Sequence, residues 1–304
     1  MINHAISISD FSRKDLEYIL SEAKKMESLS REEKQDILSG RPIASLFFEP
    51  STRTRLSFET AISNLGGRVI GFADANTSSQ KKGETLSDTI RMASGYCDAI
   101  IMRHPLEGAA RRASEISDVP VINGGDGANQ HPTQTMLDLY TIQKEFGSID
   151  GLKIAMVGDL KYGRTVHSLA TALNHFNGIE LSFVSPAELK MPPSIVKDSK
   201  HPVQEIENLE EVIPNADVIY MTRIQKERFP DPLEYGKVKD SFELTAKMIS
   251  DAKQEMIVMH PLPRITEINV DVDETKHARY FEQAANGVPV REALLKILVE
   301  GNNG

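Results

Sequence analysis

Residues 152–185, LKIAMVGDLKYGRTVHSLATALNHFNGIELSFVS, decide the architecture. A short apolar run, LKIAMVGD, ends at Gly158-Asp159. RTVHSLATALNHF then repeats apolar residues at helical spacing, and a second apolar run, IELSFVS, follows. Short apolar runs bounded by turn residues read as buried strands, and the stretch between them reads as an amphipathic helix. A strand, a helix and a strand in that order make a crossover, which joins parallel strands.

The alternation continues in both directions. Upstream lie the strand candidates PIASLFF (42–48), RVIGFAD (68–74), DAIIMRH (98–104) and PVIN (120–123); downstream lie PVQEI (202–206), DVIYMT (217–222) and MIVMH (256–260). Helical patterns TRLSFETAISNLGG (54–67), GETLSDTIRMASGY (83–96) and TQTMLDLYTIQKEF (133–146) fall between them. The expected fold is α/β, with parallel sheets flanked by helices and ligands beyond the C-terminal strand ends. At 304 residues the chain has room for two domains of about 150 residues each. KEFGSIDG (144–151), where a helix stops and a fresh strand begins, is the natural junction.

Composition narrows the function classes. With 40% hydrophobic and 26% charged residues the chain is an ordinary globular one. The N-terminal MINHAISISDFSRKDLEYIL contains neither a signal-peptide core nor a membrane span, so no membrane role and a cytoplasmic location are expected. A single cysteine, Cys97, excludes an internal disulfide and a thiolate-rich metal site, and its setting in GYCDAII reads as buried packing. The formal net charge of -9 argues against nucleic acid as a partner. Charge clusters such as EIENLEE (205–211) read as solvated helix faces.

Against that acidic background, positive charge gathers at strand ends. In FFEPSTRTRLSFE (47–59), Pro50 stops a strand and Ser51, Thr52, Arg53 and Thr54 fall in the first turn of the next helix. Backbone N–H groups there lack partners and the helix dipole is positive, so hydroxyls and a guanidinium complete a phosphate site. One hydroxyl would serve as a cap; three are present. Arg103, Arg164 and Arg223 follow three other strands, a set suited to a small substrate with several negative charges. Gly158 to Thr165 has the spacing of a phosphate-binding P-loop with arginine in place of lysine, but DVIYMT ends in Thr222 where a metal-binding Asp is needed, so nucleotide binding is not expected. His131 and Gln134, three apart behind the glycine-rich 123–130, share one side of a helix starting near Pro132. The polar loop ANTSSQKKGE (75–84) offers Ser78 and Lys82 as extra phosphate ligands. Zinc-ligand spacing and a G-x-S-x-G elbow are both missing, so neither a metal nor a serine nucleophile is expected.

Taken in order, STRTR (51–55), KKGET (81–85), MRHP (102–105), HPTQ (131–134), RTVHS (164–168), TRIQKER (222–228) and HPLPR (260–264) resemble the catalytic chains of aspartate carbamoyltransferases over almost the entire sequence. The resemblance implies transfer of the carbamoyl group of carbamoyl phosphate to L-aspartate, an early step of pyrimidine synthesis, with no cofactor. It implies a carbamoyl-phosphate domain (1–135 and 285–304, the C-terminal helix returning to it) and an aspartate domain (136–284). Ser51, Thr52, Arg53, Thr54 and Arg103 are then expected on the phosphate, and Thr54, Arg103 and His131 on the carbonyl oxygen. Gln134 with the backbone carbonyls of Pro261 and Leu262 would hold the amino end. Arg164, Arg223 and Gln225, helped by Lys82, would bind the aspartate carboxylates. Further implied are a homotrimer with Ser78 and Lys82 donated by the neighbouring chain, a cis Leu262-Pro263 bond, and in some members a separate zinc-binding regulatory chain. Glu49 would bridge to Arg164 and Arg228, so Glu49→Gln should weaken aspartate use alone. The alternatives are an ornithine carbamoyltransferase, which the cationic Arg164, Arg223 and Lys82 disfavour, and a non-catalytic anion-binding subunit of the same fold, which should have lost some of these residues.

Overall fold

The computed structural model describes residues 2–74, 82–224, 235, 236, 238 and 241–301. In chain order its main elements are α1 (Arg13–Ser28), α2 (Arg31–Lys34), β1 (Pro42–Phe47), α3 (Arg53–Asn64), β2 (Arg68–Phe72), α4 (Leu86–Ser94), β3 (Ala99–His104), α5 (Ala109–Ile116), β4 (Val121–Asp126) and α6 (Pro132–Phe146). They continue with β5 (Lys153–Val157), α7 (Arg164–Leu173), β6 (Glu180–Val184), α8 (Pro193–Asp198), β7 (Val203–Ile206), β8 (Val218–Met221), β9 (Ile257–Met259), α9 (Tyr280–Ala285) and α10 (Gly287–Gly301).

Two compact units result, Met1–Tyr140 with Asn286–Gly304, and Thr141–Ala285. The first holds a sheet of order β2-β1-β3-β4, the second a sheet of order β7-β6-β5-β8-β9, and every pairing in both is parallel. This is the α/β architecture expected from the crossover pattern, and each strand candidate forms a strand. Strands with helices on both faces must be apolar on both faces. β1, β3, β5 and β8 accordingly have nearly every residue buried, whereas the edge strand β2 leaves Val69 and Ile70 exposed in the single chain.

The C-terminal helix α10 returns to the first unit and packs against α1 and α3. Its fully buried Glu292 fixes the seat, accepting from Lys34 Nζ at 2.8 Å and from Asn64 Nδ2 at 2.7 Å. EIENLEE departs from its expected form: its glutamates are solvated, but it comprises the end of β7 and a 3-10 turn at Leu209–Glu211, with Leu209 buried. Cys97 is buried, and desolvation pushes its thiol up to about 11, which leaves it inert at neutral pH.

Candidate functional site

In the first sheet the chain leaves β1 for β2 on one side and returns to β3 on the other. Loops after β1 and β3 therefore diverge, and the crevice between them at the carboxyl ends is where an open α/β sheet binds ligands. Ser51 to Thr54 follow β1, and Arg103 lies in β3 itself, one residue before the strand end where the sequence had suggested the loop.

The helix start behaves as an anion site would. Ser12 at α1 and Thr85 at α4 each accept a hydrogen bond from the backbone N–H three residues on. Thr52, in the same position at α3, makes no capping hydrogen bond. Its hydroxyl and the first N–H groups of α3 are thus not consumed by each other. Thr54 is buried, and a Cβ added at Gly124 would lie 3.5 Å from Thr54 Cγ2 and 3.8 Å from Arg103 Cβ, so Thr54 and Arg103 flank one glycine. Arg103 donates through Nε to Glu49 Oε1 at 2.6 Å and through Nη1 to the Gly124 carbonyl at 3.4 Å. Glu49 is thereby engaged at Arg103 within the first unit, a partner the sequence reading did not assign to it.

His131 is buried immediately before α6, and its carbonyl oxygen accepts from the N–H groups of Gln134 at 3.0 Å and Thr135 at 3.3 Å. Pro132 takes the first helical position, where its missing N–H costs nothing. The loop leading to His131 is tied by Asp126, whose carboxylate accepts from Gly108 N, Asn123 Nδ2, Asn129 Nδ2 and Gln130 N at 2.9–3.0 Å. Gln134 donates Nε2–H to Asp138 Oδ1 at 2.9 Å. Lys82 is exposed; Ser78 lies outside the described residues.

The second sheet has its own divergence, between β5 and β8. Gly158 follows β5 with φ 112°, and a Cβ there would sit 2.7 Å from Thr222 Oγ1 and closer still to the Thr222 carbonyl. That hydroxyl donates to Val157 O at 2.9 Å and accepts from Asp159 N at 3.0 Å, locking the two strand ends together. The P-loop spacing is filled differently: Asp159 Oδ1 accepts from Tyr162 N at 2.9 Å and His167 Nε2 donates to Leu160 O at 2.7 Å, so the loop folds on its own side chains. Arg164 is the first residue of α7, behind Gly163, and Arg223 follows β8 and lines a small recess with Gly158, Thr222 and Glu267. Gln225 and Arg228 lie outside the described residues.

After β9 comes His260, fully buried. Its Nδ1 accepts from Leu262 N at 2.8 Å, which puts the ring proton on Nε2, and Nε2–H donates to Glu267 Oε1 at 2.8 Å. Burial holds the His260 pKa below its ordinary value. Burial alone would raise the Glu267 pKa, but hydrogen bonds from His260 and from backbone N–H groups, that of Ile265 among them, bring it below the usual carboxylate range; the Ile265 and Thr266 N–H groups both donate to Oε2, at 3.1 Å each. The clamp fixes the Pro261-Leu262 turn, with Leu262 at φ 53° and the Leu262-Pro263 bond cis as the resemblance implied. The first unit repeats the device: in His104-Pro105-Leu106 the Leu106 N–H donates to His104 Nδ1 at 3.0 Å.

Sequence reading missed Asp126, Asp138, Glu267 and Arg291 as supports. The repeated tripeptide His-Pro-Leu and the i,i+4 spacing of Gln134 and Asp138 were signals for two of them. Among the described residues no group of histidine, cysteine and carboxylate side chains could hold a metal ion.

Comparison with known proteins bears on this geometry. The family "Aspartate/ornithine carbamoyltransferase, carbamoyl-P binding domain" matches residues 3–144, and its "Asp/Orn binding domain" matches residues 150–298. An aspartate carbamoyltransferase catalytic subunit of Archaeoglobus fulgidus is 58% identical over 97% of this chain and 98% of its own. The solved catalytic subunit of Methanocaldococcus jannaschii aspartate transcarbamoylase superposes with a TM-score of 0.93 at 54% identity, covering 100% of both chains. Aspartate transcarbamoylase from Trypanosoma cruzi, solved with carbamoyl phosphate and aspartate, gives a TM-score of 0.90 at 39% identity over 97% of this chain and 96% of its own.

Proposed function

The chain belongs to the aspartate/ornithine carbamoyltransferase family, and from that premise we propose how it works as an aspartate carbamoyltransferase. Carbamoyl phosphate binds at the carboxyl ends of β1 and β3, in a carbamoyl-phosphate domain formed by the first unit. Ser51, Thr52, Arg53 and Thr54 hold its phosphate with the open N–H groups of α3. Thr54, Arg103 and His131 donate to the carbonyl oxygen, Gln134 accepts from the amino end, and the Pro261 and Leu262 carbonyls serve as further acceptors. Arg164, Arg223 and Gln225 bind the two carboxylates of L-aspartate.

The neutral aspartate amine attacks the carbamoyl carbon, and negative charge grows on the carbonyl oxygen as the carbon becomes tetrahedral. Donors fixed before the reaction stabilise that oxyanion without reorganising, and losing one typically costs about 10²–10³ in turnover. Phosphate then departs among the cations and the N–H groups of α3, taking the amine proton, so no covalent enzyme intermediate forms. Orientation of two anionic reactants supplies the remaining acceleration.

The observation that carries this reading is the uncapped start of α3, with buried Thr54 and half-buried Arg103 around Gly124. Purified chain assayed with carbamoyl phosphate and either amino acid tests it: N-carbamoyl-L-aspartate should form. Turnover with L-ornithine alone, or phosphate binding without transfer, would replace it by one of the other two readings.

Self-association completes the proposal. Val69 and Ile70 on the edge strand β2, with Leu56 of α3, present apolar surface on the single chain, as an oligomer interface would. A homotrimer lets each chain lend Ser78 and Lys82 to its neighbour, and light scattering should give three times the chain mass. Relatives are named catalytic subunits, so a separate zinc-binding regulatory chain is a further expected partner, to be sought by co-purification from native extract. Among the described residues no helix is long and apolar enough to cross a membrane; the proposed compartment is the cytoplasm, where the carbamoyl transfer serves pyrimidine synthesis.

A further inference from the structure

We propose that Asp138, backed by Arg291, sets which end of the Gln134 amide faces carbamoyl phosphate. The inference rests on the reading of Gln134 given above and assigns a task to two residues that touch no substrate. A glutamine amide has a donor end and an acceptor end of nearly equal size, and only its partners distinguish them. Gln134 meets Asp138 Oδ1 at 2.9 Å, and a carboxylate only accepts, so the end facing Asp138 is Nε2–H. The amide oxygen is the other branch. The amino group of a carbamoyl substrate offers hydrogens, so an oxygen in that position accepts from it, whereas a flipped amide would set donor against donor.

The carboxylate that enforces this choice is itself costly to bury. Asp138 is 0% exposed, on the second turn of α6. A buried charge needs an opposite one. Arg291 of α10 provides it: the guanidinium is fully enclosed, stacks over the Phe58 ring with Cζ 4.8 Å from the centroid, and interacts electrostatically with Asp138. Arg291 Nε makes no hydrogen bond in its enclosure. Desolvation pulls the arginine down to about 10, with the Asp138 charge opposing that shift. Arg291 therefore sits where a cation is expensive, within electrostatic reach of the carboxylate that orients Gln134. This also gives α10 a task in the site, because the last helix of the chain brings the counter-charge back to the first unit. Asp138 and Arg291 are positioning residues, acting through Gln134.

A polarity swap tests this. In Asp138→Asn the constraint on the amide is lost, and in Gln134→Glu two carboxylates face each other; each variant should lower kcat/KM for carbamoyl phosphate at least tenfold. The double variant reverses the hydrogen bond. The new amide at position 138 donates to the new carboxylate at position 134, whose other oxygen is again turned to the substrate, so the double variant should recover at least fivefold over Gln134→Glu. Losses that simply multiply in the double variant would overturn the proposal. If Asp138→Asn does not fold, Gln134→Glu decides alone: the new carboxyl lies against Asp138, whose counter-charge is Arg291, with Arg103 and His131 at the same substrate on the reading above; it shares a proton with Asp138, and transfer relative to the unaltered chain should rise from about pH 8 towards about pH 6. A flat ratio overturns the proposal. An unaltered chain without transfer would sink the functional reading itself, while an active one without recovery would sink only this role.

Discussion

Replacing Glu267 by Gln removes a charge and almost no volume, so its cost reads the hydrogen bonding of the Pro261-Leu262 turn. In the native pocket Oε1 accepts from His260 and Oε2 from the Ile265 and Thr266 N–H groups. A glutamine has one acceptor oxygen. If that oxygen serves the two backbone groups, its NH₂ faces His260 Nε2–H, and the imidazole has no other tautomer to offer because the Leu262 N–H occupies Nδ1. Losing a hydrogen bond to a charged group costs about 1.5–3 kcal/mol, and a buried donor left unsatisfied costs about 1–3 kcal/mol. The lower ends together give about 2.5 kcal/mol. At about 2–4 °C per kcal/mol for a unit of this size, calorimetry should place the variant's transition about 5–10 °C below the native one. On the role proposed for the Leu262 carbonyl, half-saturating carbamoyl phosphate should rise with it. A melting temperature within about 1 °C of the native value would refute the clamp.

The same clamp has a pH signature. Burial depresses the pKa of His260 in the folded protein, so between its ordinary value of 6.5 and the folded value the unfolded chain binds a proton that the native chain refuses. The stabilisation is complete above about pH 6.5 and is lost as the pH falls towards the folded pKa, at up to about 1.4 kcal/mol per pH unit. His4, His104 and His175 are shifted in the same direction, chiefly by burial, so the diagnostic is a difference: His260→Asn should flatten the acid limb by the share of one group. An unchanged slope would remove His260 from the account.

Thr52→Ala should leave stability within about 0.5 kcal/mol of native, because the hydroxyl caps nothing, yet weaken inhibition by phosphate; Ser12→Ala, which removes a working cap, should cost about 1 kcal/mol by urea denaturation and leave kinetics alone. Gly158→Ala meets both a left-handed φ and the Thr222 backbone, so more than about 3 kcal/mol should be lost, and an assay of soluble yield and melting will show whether the loop tolerates any side chain. Glu49→Gln should raise half-saturating carbamoyl phosphate severalfold through Arg103, in addition to any loss with aspartate; saturation curves with only the aspartate limb altered would leave Glu49 the bridge to Arg164 and Arg228 first expected of it.

What was legible in the sequence and what was not divides along a physical line. Strand and helix periods are local and backbone-driven, so LKIAMVGD and RTVHSLATALNHF announced themselves without any knowledge of their neighbours. The residues proposed to meet the substrates were legible for a related reason: Arg103, Arg164 and Arg223 are cations at strand ends, in places where packing has no use for charge. Their supports were not. Asp138 looks like one more polar residue in TQTMLDLY, and Arg291 like a solvated arginine in a late amphipathic helix, until the fold buries both. Glu267 reads as a loop carboxylate until two backbone amides and an imidazole converge on it. A proposed substrate contact is thus written at one position, whereas the side chains that hold it are written in residues whose charge makes sense only after burial. The proton on His260 Nε2 is a case in point: it is fixed by the N–H of Leu262, a group that no side-chain motif can encode.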